Sequence, residues 1–397
     1  MKYLNTRDLT GIGAISDATL KALTDSVEKH KSETNGTTNG VSASSKLALP
    51  TATQTNQDGD FSALVVLFGQ SSLALTPLEF KNGAWQLAED AELAERIKTL
   101  AKTAFDEIHG EEYLGFAHVN FHVDKTSGDV STTSIDLAPS FFLTKGSSPW
   151  DDEVIAKTFP GGHPAFIEAL LSTRLCGIAQ YAMRNKGCAR QHDRLARLYW
   201  TVLDKTNVTH DRLSPFVGKF NYDGTVLDCC SGTGEFARFA NEGGVKAKYS
   251  SLDYSVEMTN ILGSKKLYEQ PFIIGPMQEV LTKAAVHDHV VCFGSFHLLQ
   301  PFDFLSAISQ MFLRARKSVT FDVDDLSEGY ISKFPDWSSE KAWEKLEYNH
   351  NNVENALRFG VPVGWKAVLP GERRFAYHSL LMKEDVYTRS FRFEKVE

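Results

Sequence analysis

Two periods of apolar residues divide this chain. Near its first third, Ser62-Ala-Leu-Val-Val-Leu-Phe-Gly69 is an almost unbroken strand-like run, and Leu78-Glu-Phe-Lys-Asn-Gly-Ala-Trp85 carries the Asn-Gly signal of a tight hairpin. Leu93, Ile97, Leu100 and Phe105 recur at helical spacing and mark one face of a helix. Phe116-Ala-His-Val-Asn-Phe-His-Val123 and Val130-Ser-Thr-Thr-Ser-Ile-Asp-Leu137 alternate on either side of a polar turn, which predicts a second hairpin. Together these make a small α+β unit. Helices are expected over Ala165 to Arg184 and Arg194 to Asp204.

From Thr225 the rhythm changes. Short apolar runs at Val226-Leu227, Tyr249 to Leu252, Phe272 to Ile274, Val290 to Phe293 and Val319 to Val323 alternate with helical stretches. That order predicts an α/β fold, doubly wound, with a mostly parallel sheet and crossover helices. Arg374 to Met382 and Val386 to Phe393, joined by Lys383-Glu-Asp385, read as an antiparallel closing pair. Before the first unit, Asp17 to Lys29 fits a short helix. Ser32 to Asp60 is rich in Ser, Thr, Asn, Gly and Gln, too polar to offset its ordering entropy, and is expected to be a disordered linker. The expected division is therefore 1–31, 32–60, 61–185 and 190–397.

Composition narrows the function classes. A chain of 397 residues exceeds one ordinary core, and 42% hydrophobic with 23% charged residues describes a globular protein. A net charge of -8 argues against general nucleic-acid binding, which needs a basic surface. No apolar window approaches the roughly 18 residues of a membrane span, and the first ten residues lack a signal-peptide core, so a cytosolic enzyme is expected. Cys176, Cys188, Cys229, Cys230 and Cys292 show no paired CxxC spacing, so neither a disulfide framework nor a zinc site follows. His287-Asp-His289 reads as a polar turn before a strand rather than a metal site.

The chemistry concentrates in Thr225-Val-Leu-Asp-Cys-Cys-Ser-Gly-Thr-Gly-Glu-Phe-Ala-Arg-Phe239, followed by Ser250-Ser-Leu-Asp-Tyr-Ser-Val-Glu-Met258. A strand enters a small-residue turn, a helix leaves it, and the next strand ends on Asp253. This is the layout of a nucleoside-binding βαβ unit, in which small residues admit a ligand to the backbone and the acid receives a ribose diol.

Over roughly residues 190–397 the chain resembles class I S-adenosyl-L-methionine-dependent methyltransferases, whose sheet has seven strands ending in an antiparallel pair. Asp228-Cys-Cys-Ser-Gly-Thr-Gly234 is similar to the family's acidic glycine-rich loop; Gly232 and Gly234 match, and Cys230 stands where the first glycine would be. The resemblance implies that Asp228 and this loop cradle the amino-acid part of the cofactor and that Asp253 takes the ribose. It places Tyr254 or Met258 on the adenine, Met277 and Gln278 at the adenine edge, Phe293 beside the sulfonium, and His297 towards the substrate as general base. Trp337, Trp343, Tyr348, His350 and Trp365 of the segment after the fifth strand read either as plain hydrophobic packing or as the lining of an aromatic pocket, with Tyr348 and His350 its first substrate contacts.

A fainter resemblance concerns the α+β unit. Its hairpin and Asp136-Leu-Ala-Pro139 look like the C-terminal part of ATP-grasp ligases, with Asn120, Ser134 and Asp136 at the metal-ligand positions. An amide and a hydroxyl there would not compensate a magnesium–phosphate cluster as carboxylates do. The expectation is methyl transfer to a small-molecule metabolite. Two alternatives stay open: a non-catalytic S-adenosylmethionine-binding or regulatory protein, and an ATP-dependent ligase working through the N-terminal half.

Overall fold

The computed structural model describes residues 57–69, 71–109, 115–136, 150–176, 179–201, 211–337, 352–379 and 383–396. The helix expected at 17–29, nearly all of the expected linker, and Trp343, Tyr348 and His350 lie outside the described residues.

The first sheet contains β1 (Asp60–Phe68), β2 (Ser71–Ala74), β3 (Leu78–Lys81), β4 (Ala84–Leu87), β5 (Phe116–Val123) and β6 (Val130–Asp136), with helix α1 (Ala91–His109) between β4 and β5. Its order is β4-β3-β1-β5-β6 with β2 also on β1, and every pairing is antiparallel. Asn82 and Gly83, both at positive φ, make the tight turn between β3 and β4.

The unbroken hydrophobicity of β1 has a structural cause. Side chains alternate across a strand, and here both faces are covered. Phe61, Ala63 and Val65 pack with Ile97, Ala101 and Phe105 of α1. Leu64, Val66 and Phe68 face the other way, into a second and larger cluster.

Three helices follow: α2 (Trp150–Thr158), α3 (Gly162–Cys176) and α4 (Ala179–Thr201). The helices expected over Ala165 to Arg184 and Arg194 to Asp204 are thus drawn differently: α4 also takes in residues 185–193.

The second sheet is reached at β7 (Gly224–Cys229). Next come α5 (Glu235–Glu242), β8 (Ala247–Asp253), α6 (Val256–Lys265), β9 (Tyr268–Ile274), the single turn α7 (Met277–Val280) and β10 (His287–Cys292). Then follow α8 (Pro301–Arg314), β11 (Ala315–Asp325), α9 (Glu328–Trp337), α10 (Asn352–Phe359), β12 (Trp365–Ser379) and β13 (Glu384–Lys395). The seven strands lie in the order β12-β13-β11-β10-β7-β8-β9. The sheet is mixed: β11, β10, β7, β8 and β9 pair in parallel, whereas β13 is antiparallel to both β11 and β12.

His287 and His289 sit within β10 rather than in a turn before it. His287 Nε2 lies 2.9 Å from Ser250 Oγ, and His289 Nδ1 lies 2.7 Å from Ser318 Oγ, so both serve the sheet. Trp365 is likewise a packing residue: its ring meets Phe312 edge-on at 4.9 Å.

One apolar cluster joins the two sheets. Leu64, Val66 and Phe68 of β1, Phe166 and Ala169 of α3, and Leu281, Ile308 and Met311 beside the second sheet belong to it. Phe68 meets Phe159 and Phe166 at centroid distances of 5.5 and 5.9 Å. Polar contacts repeat the connection: Thr282 Oγ1 donates to the Phe68 carbonyl, and Gly69 N donates to Thr173 Oγ1. Gly69 is at φ 56, and a Cβ there would fall 2.4 Å from the Glu279 carbonyl oxygen. Only a glycine lets the two backbones come this close. Among the described residues no helix is long and apolar enough to cross a membrane.

Candidate functional site

Parallel pairing brings the ends of β7 and β8 side by side, with Cys229 opposite Leu252. The chain then turns through Cys230 (φ 57), Gly232 (φ 53) and Gly234 (φ 87) before α5 begins. Cys230 thus occupies a left-handed conformation that glycine adopts freely and that costs an L residue about 1–2 kcal/mol. Its Sγ lies 3.9 Å from Met277 Sδ. The two glycines serve different ends. A Cβ on Gly234 would strike the Tyr268 ring at 2.9 Å, whereas a Cβ on Gly232 would meet no heavy atom of the described residues within 4 Å. The space over Gly232 is open, as a ligand cradle requires.

Asp253 ends β8 and reaches back to this loop. Its Oδ2 accepts from Gly232 N and its Oδ1 from Ser255 N, each at 2.8 Å. Burial pushes the carboxyl up, while these amides and nearby His192 pull it down; burial prevails. Asp228 is used differently. It is buried, and the Tyr268 hydroxyl donates to its Oδ2 at 2.5 Å. Burial raises its pKa to about 7, against the opposing hydrogen bond from Tyr268. The acid of the loop motif is therefore tied to β9.

The turn from β8 into α6 is covered by α4. Ser255 caps α6 by accepting from Met258 N, and its hydroxyl donates to Asp193 Oδ1 at 2.6 Å. Asp193 also accepts from Glu257 N. The Tyr254 hydroxyl lies 2.8 Å from His192 Nδ1 and 2.6 Å from Cys188 Sγ. Burial drives the Tyr254 pKa well up, reinforced by Cys188. For His192 burial acts downward, but Cys188 and Asp253 outweigh it and leave the imidazole raised. Cys188, His192 and Asp193 were not singled out by sequence reasoning. Their signal is the helical spacing of 188 and 192, between the two helices read from the sequence.

The other sequence-predicted positions are closed in. Met258, Met277 and Gln278 are buried, and the Gln278 carbonyl accepts from Gln310 Nε2 of α8. Phe293 stacks on Phe236 at 5.4 Å and meets Phe216 at 4.8 Å.

A polar cluster lies past the end of β10. His297, on the short turn Phe296–Leu298, is buried, with Nδ1 3.2 Å from Asp324 Oδ2. Asp324 Oδ1 accepts from Arg212 Nη2 at 2.9 Å, and Arg212 Nη1 donates to Asp322 Oδ2 at 3.2 Å. Gly294 N donates to Asp322 Oδ1, and a Cβ on Gly294 would sit 2.9 Å from Arg212 Nη1. Burial lowers the His297 pKa to about 4, opposed by Asp324 and aided by Arg212 and His192. Burial also acts to raise Asp324, yet Arg212 and His297 hold it below the usual carboxylate range. Arg212, Asp322 and Asp324 belong to no motif in the sequence; only folding assembles them. Among the described residues no group of three or more His, Cys, Asp or Glu is arranged to hold a metal ion.

Against this geometry, residues 226–318 match a methyltransferase domain family, from β7 into β11. No curated protein matches the chain. Among solved structures, the magnesium protoporphyrin IX methyltransferase of Synechocystis PCC 6803 with bound SAH is 14% identical, covers 54% of this chain and 99% of its own, and has a TM-score of 0.38. A DhpI–SAM–HEP complex is 16% identical with 52% and 96% coverage and a TM-score of 0.36. A plantazolicin methyltransferase bound to a desmethyl analogue and SAH is 10% identical with 54% and 96% coverage and a TM-score of 0.36. The ATP-grasp resemblance finds no support, and Asn120 Nδ2 simply donates to Ser134 Oγ across the hairpin at 3.0 Å. The expected cofactor, S-adenosyl-L-methionine, is the one that the methyltransferase-domain match carries.

Proposed function

We propose that this protein is an S-adenosylmethionine-dependent methyltransferase acting on a small-molecule nucleophile. The observation that carries the reading is the bond from Gly232 N to Asp253 Oδ2 beneath the open space over Gly232. It sets a ligand-accessible backbone turn and a strand-end carboxylate at one sheet edge, as a nucleoside with a charged tail requires.

In this reading Cys230, Gly232 and Gly234 shape the cradle, and Asp253 offers its remaining lone pairs to the ribose hydroxyls. Tyr254, held by His192 and Cys188, walls the nucleoside side. Asp228 supports the loop through Tyr268. Met258, Met277 and Gln278 back the adenine region from buried positions, and Phe293 borders the reacting end from its aromatic stack. When bound, the cofactor supplies a methyl group already activated by positive sulfur. The protein's task is alignment and exclusion of water. His297 would receive a hydrogen from the acceptor, with Tyr348 and His350 as further substrate contacts. The net charge of -8 favours a metabolite over nucleic acid. Residues 61–185 form the accompanying α+β part and 190–397 the methyltransferase part.

Calorimetric titration of the whole chain with S-adenosylmethionine, and separately with ATP and magnesium, tests the proposal. Micromolar binding of S-adenosylmethionine alone is expected. No heat with S-adenosylmethionine would overturn it.

A further inference from the structure

The single turn α7 links the α+β part to the rim of the cradle. Four residues are too few to keep a helical turn closed in water, because its hydrogen bonds do not offset the ordering of the backbone. Neighbours must hold it. Towards the cradle, Met277 Sδ lies 3.9 Å from Cys230 Sγ, and Gly275 N, just before the turn, donates to the Asp253 carbonyl at 3.0 Å. A Cβ on Gly275 would fall 2.7 Å from Val280 Cγ1, so the turn packs closely on its own entry.

The α+β part meets the same turn at its main chain. Gly69, directly after β1, comes so near that a Cβ would fall 2.4 Å from the Glu279 carbonyl oxygen and 2.7 Å from its Cα. Gly69 is itself pinned, its N–H donating to Thr173 Oγ1 of α3 at 2.9 Å. Thr282, in the short turn Leu281–Lys283 after α7, donates through Oγ1 to the Phe68 carbonyl at 3.3 Å. Met277 and Val280 share one apolar cluster with Phe68. Helix α8 reaches the Gln278 and Thr282 carbonyls through Gln310 and Arg314. The Glu279 main chain between those two carbonyls is the part that Gly69 abuts. A close-packed interior cannot absorb a displaced backbone there without moving the residues on its far side.

We propose that the α+β part is a working part of the cofactor site: Gly69, abutting the Glu279 main chain, is a positioning residue that fixes α7 against Cys230 and the end of β8. Residues 61–185 thereby control how firmly the cradle is formed. The consequence for the cofactor rests on the methyltransferase reading; the bracing of the turn does not.

Gly69→Ala in the full chain tests this, since the new Cβ forces the two backbones apart. The Glu279 and Val280 amides, which bond to the Pro276 carbonyl, should exchange about 2- to 30-fold faster, while those of β7 and β10 keep their rates. Alkylation of Cys230 by iodoacetamide, followed by mass spectrometry, should speed up as its sulfur loses the Met277 cover. Affinity for S-adenosylmethionine should fall by about the same factor as the exchange rises. Unmoved exchange in α7 or an unmoved Cys230 rate in folded Gly69→Ala protein overturns the proposal. So does equal acceleration in α7, β7 and β10, which would mean a general loss of stability. Should Gly69→Ala fail to fold, Thr282→Val decides: it removes the bond to the Phe68 carbonyl without crowding, and unchanged exchange in α7 overturns the proposal. A wild-type chain that binds no S-adenosylmethionine removes the functional reading and leaves the exchange and alkylation results as expected. A loosened α7 with unchanged affinity in a chain that does bind it overturns the link to the cradle.

Discussion

Asp253, at the end of β8, bonds to Gly232 in the loop that follows β7, its Oδ2 accepting the glycine N–H at 2.8 Å. One carboxylate thereby ties down the loop, and in the proposed reading its remaining lone pairs take the ribose. Asp253→Ala is expected to weaken S-adenosylmethionine binding by about 1–3 kcal/mol, the usual cost of stranding hydrogen-bond partners. Asp253→Asn, which keeps one acceptor oxygen, should lose less. Calorimetry on both variants checks this, and unchanged affinity in the alanine variant would remove Asp253 from the site.

Gly232 and Gly234 are expected to respond differently to alanine. At Gly234 the new Cβ meets the Tyr268 ring at 2.9 Å, and Tyr268 holds Asp228. Gly234→Ala should therefore destabilise the fold by about 1–3 kcal/mol, in the range of overpacking. At Gly232 the Cβ enters open space, so only the left-handed backbone is penalised, by about 1–2 kcal/mol. Gly232→Ala should lose cofactor affinity out of proportion to its stability. Denaturant melts and titrations on both proteins would separate the two cases; parallel losses would mean that Gly232 is structural.

Between α3 and α8 the fold buries two acids. Glu168 Oε2 and Asp303 Oδ2 have no hydrogen-bond partner among the described residues, while Ser172 Oγ donates to Asp303 Oδ1 at 2.6 Å. Burial, reinforced by the other acid, lifts Glu168 to about 8; burial also lifts Asp303 to about 7, against the Ser172 bond. Unfolded, both ionise near pH 4. Between about pH 4 and 8 the folded chain therefore binds more protons, and stability falls as pH rises through that window. Melting temperatures from pH 5 to 9 should decline less steeply in Glu168→Gln and Asp303→Asn. A slope equal to that of the wild type would show that these carboxyls are already ionised.

The sequence made some of this legible. The run around Gly232 and the acid at Asp253 lie on one βαβ unit, where local spacing encodes the juxtaposition. Strand β1 was visible because a strand covered on both faces is apolar throughout. What stayed hidden depends on long-range packing. Arg212 meets Asp322 and Asp324 across more than a hundred residues, and no periodicity announces such a contact. The cover made by Cys188 and His192 was obscured because polar residues and Gly187 masked the helical pattern of α4. An aromatic side chain alone does not say whether it faces a ligand or packs, and the structure sets Trp365 against Phe312.

The apolar cluster shared by both sheets bears on whether the C-terminal part can stand alone. Phe68 of β1 and Phe166 of α3 belong to the same core as Leu281, Ile308 and Met311. Residues 190–397 expressed without the preceding chain would expose that surface to water. We expect them to aggregate, or to bind a hydrophobic dye and melt without a cooperative transition. In the whole protein, Phe68→Ala should cost about 3–5 kcal/mol, as large-to-small changes at buried aromatic sites do. Because Phe68 also adjoins the α7 turn through Gly69, that loss should fall on the second sheet as well. Hydrogen exchange would detect it as faster exchange in α7 and α8. A soluble, cooperatively melting 190–397 fragment would instead show that the C-terminal part folds by itself and that the shared core only docks the two parts.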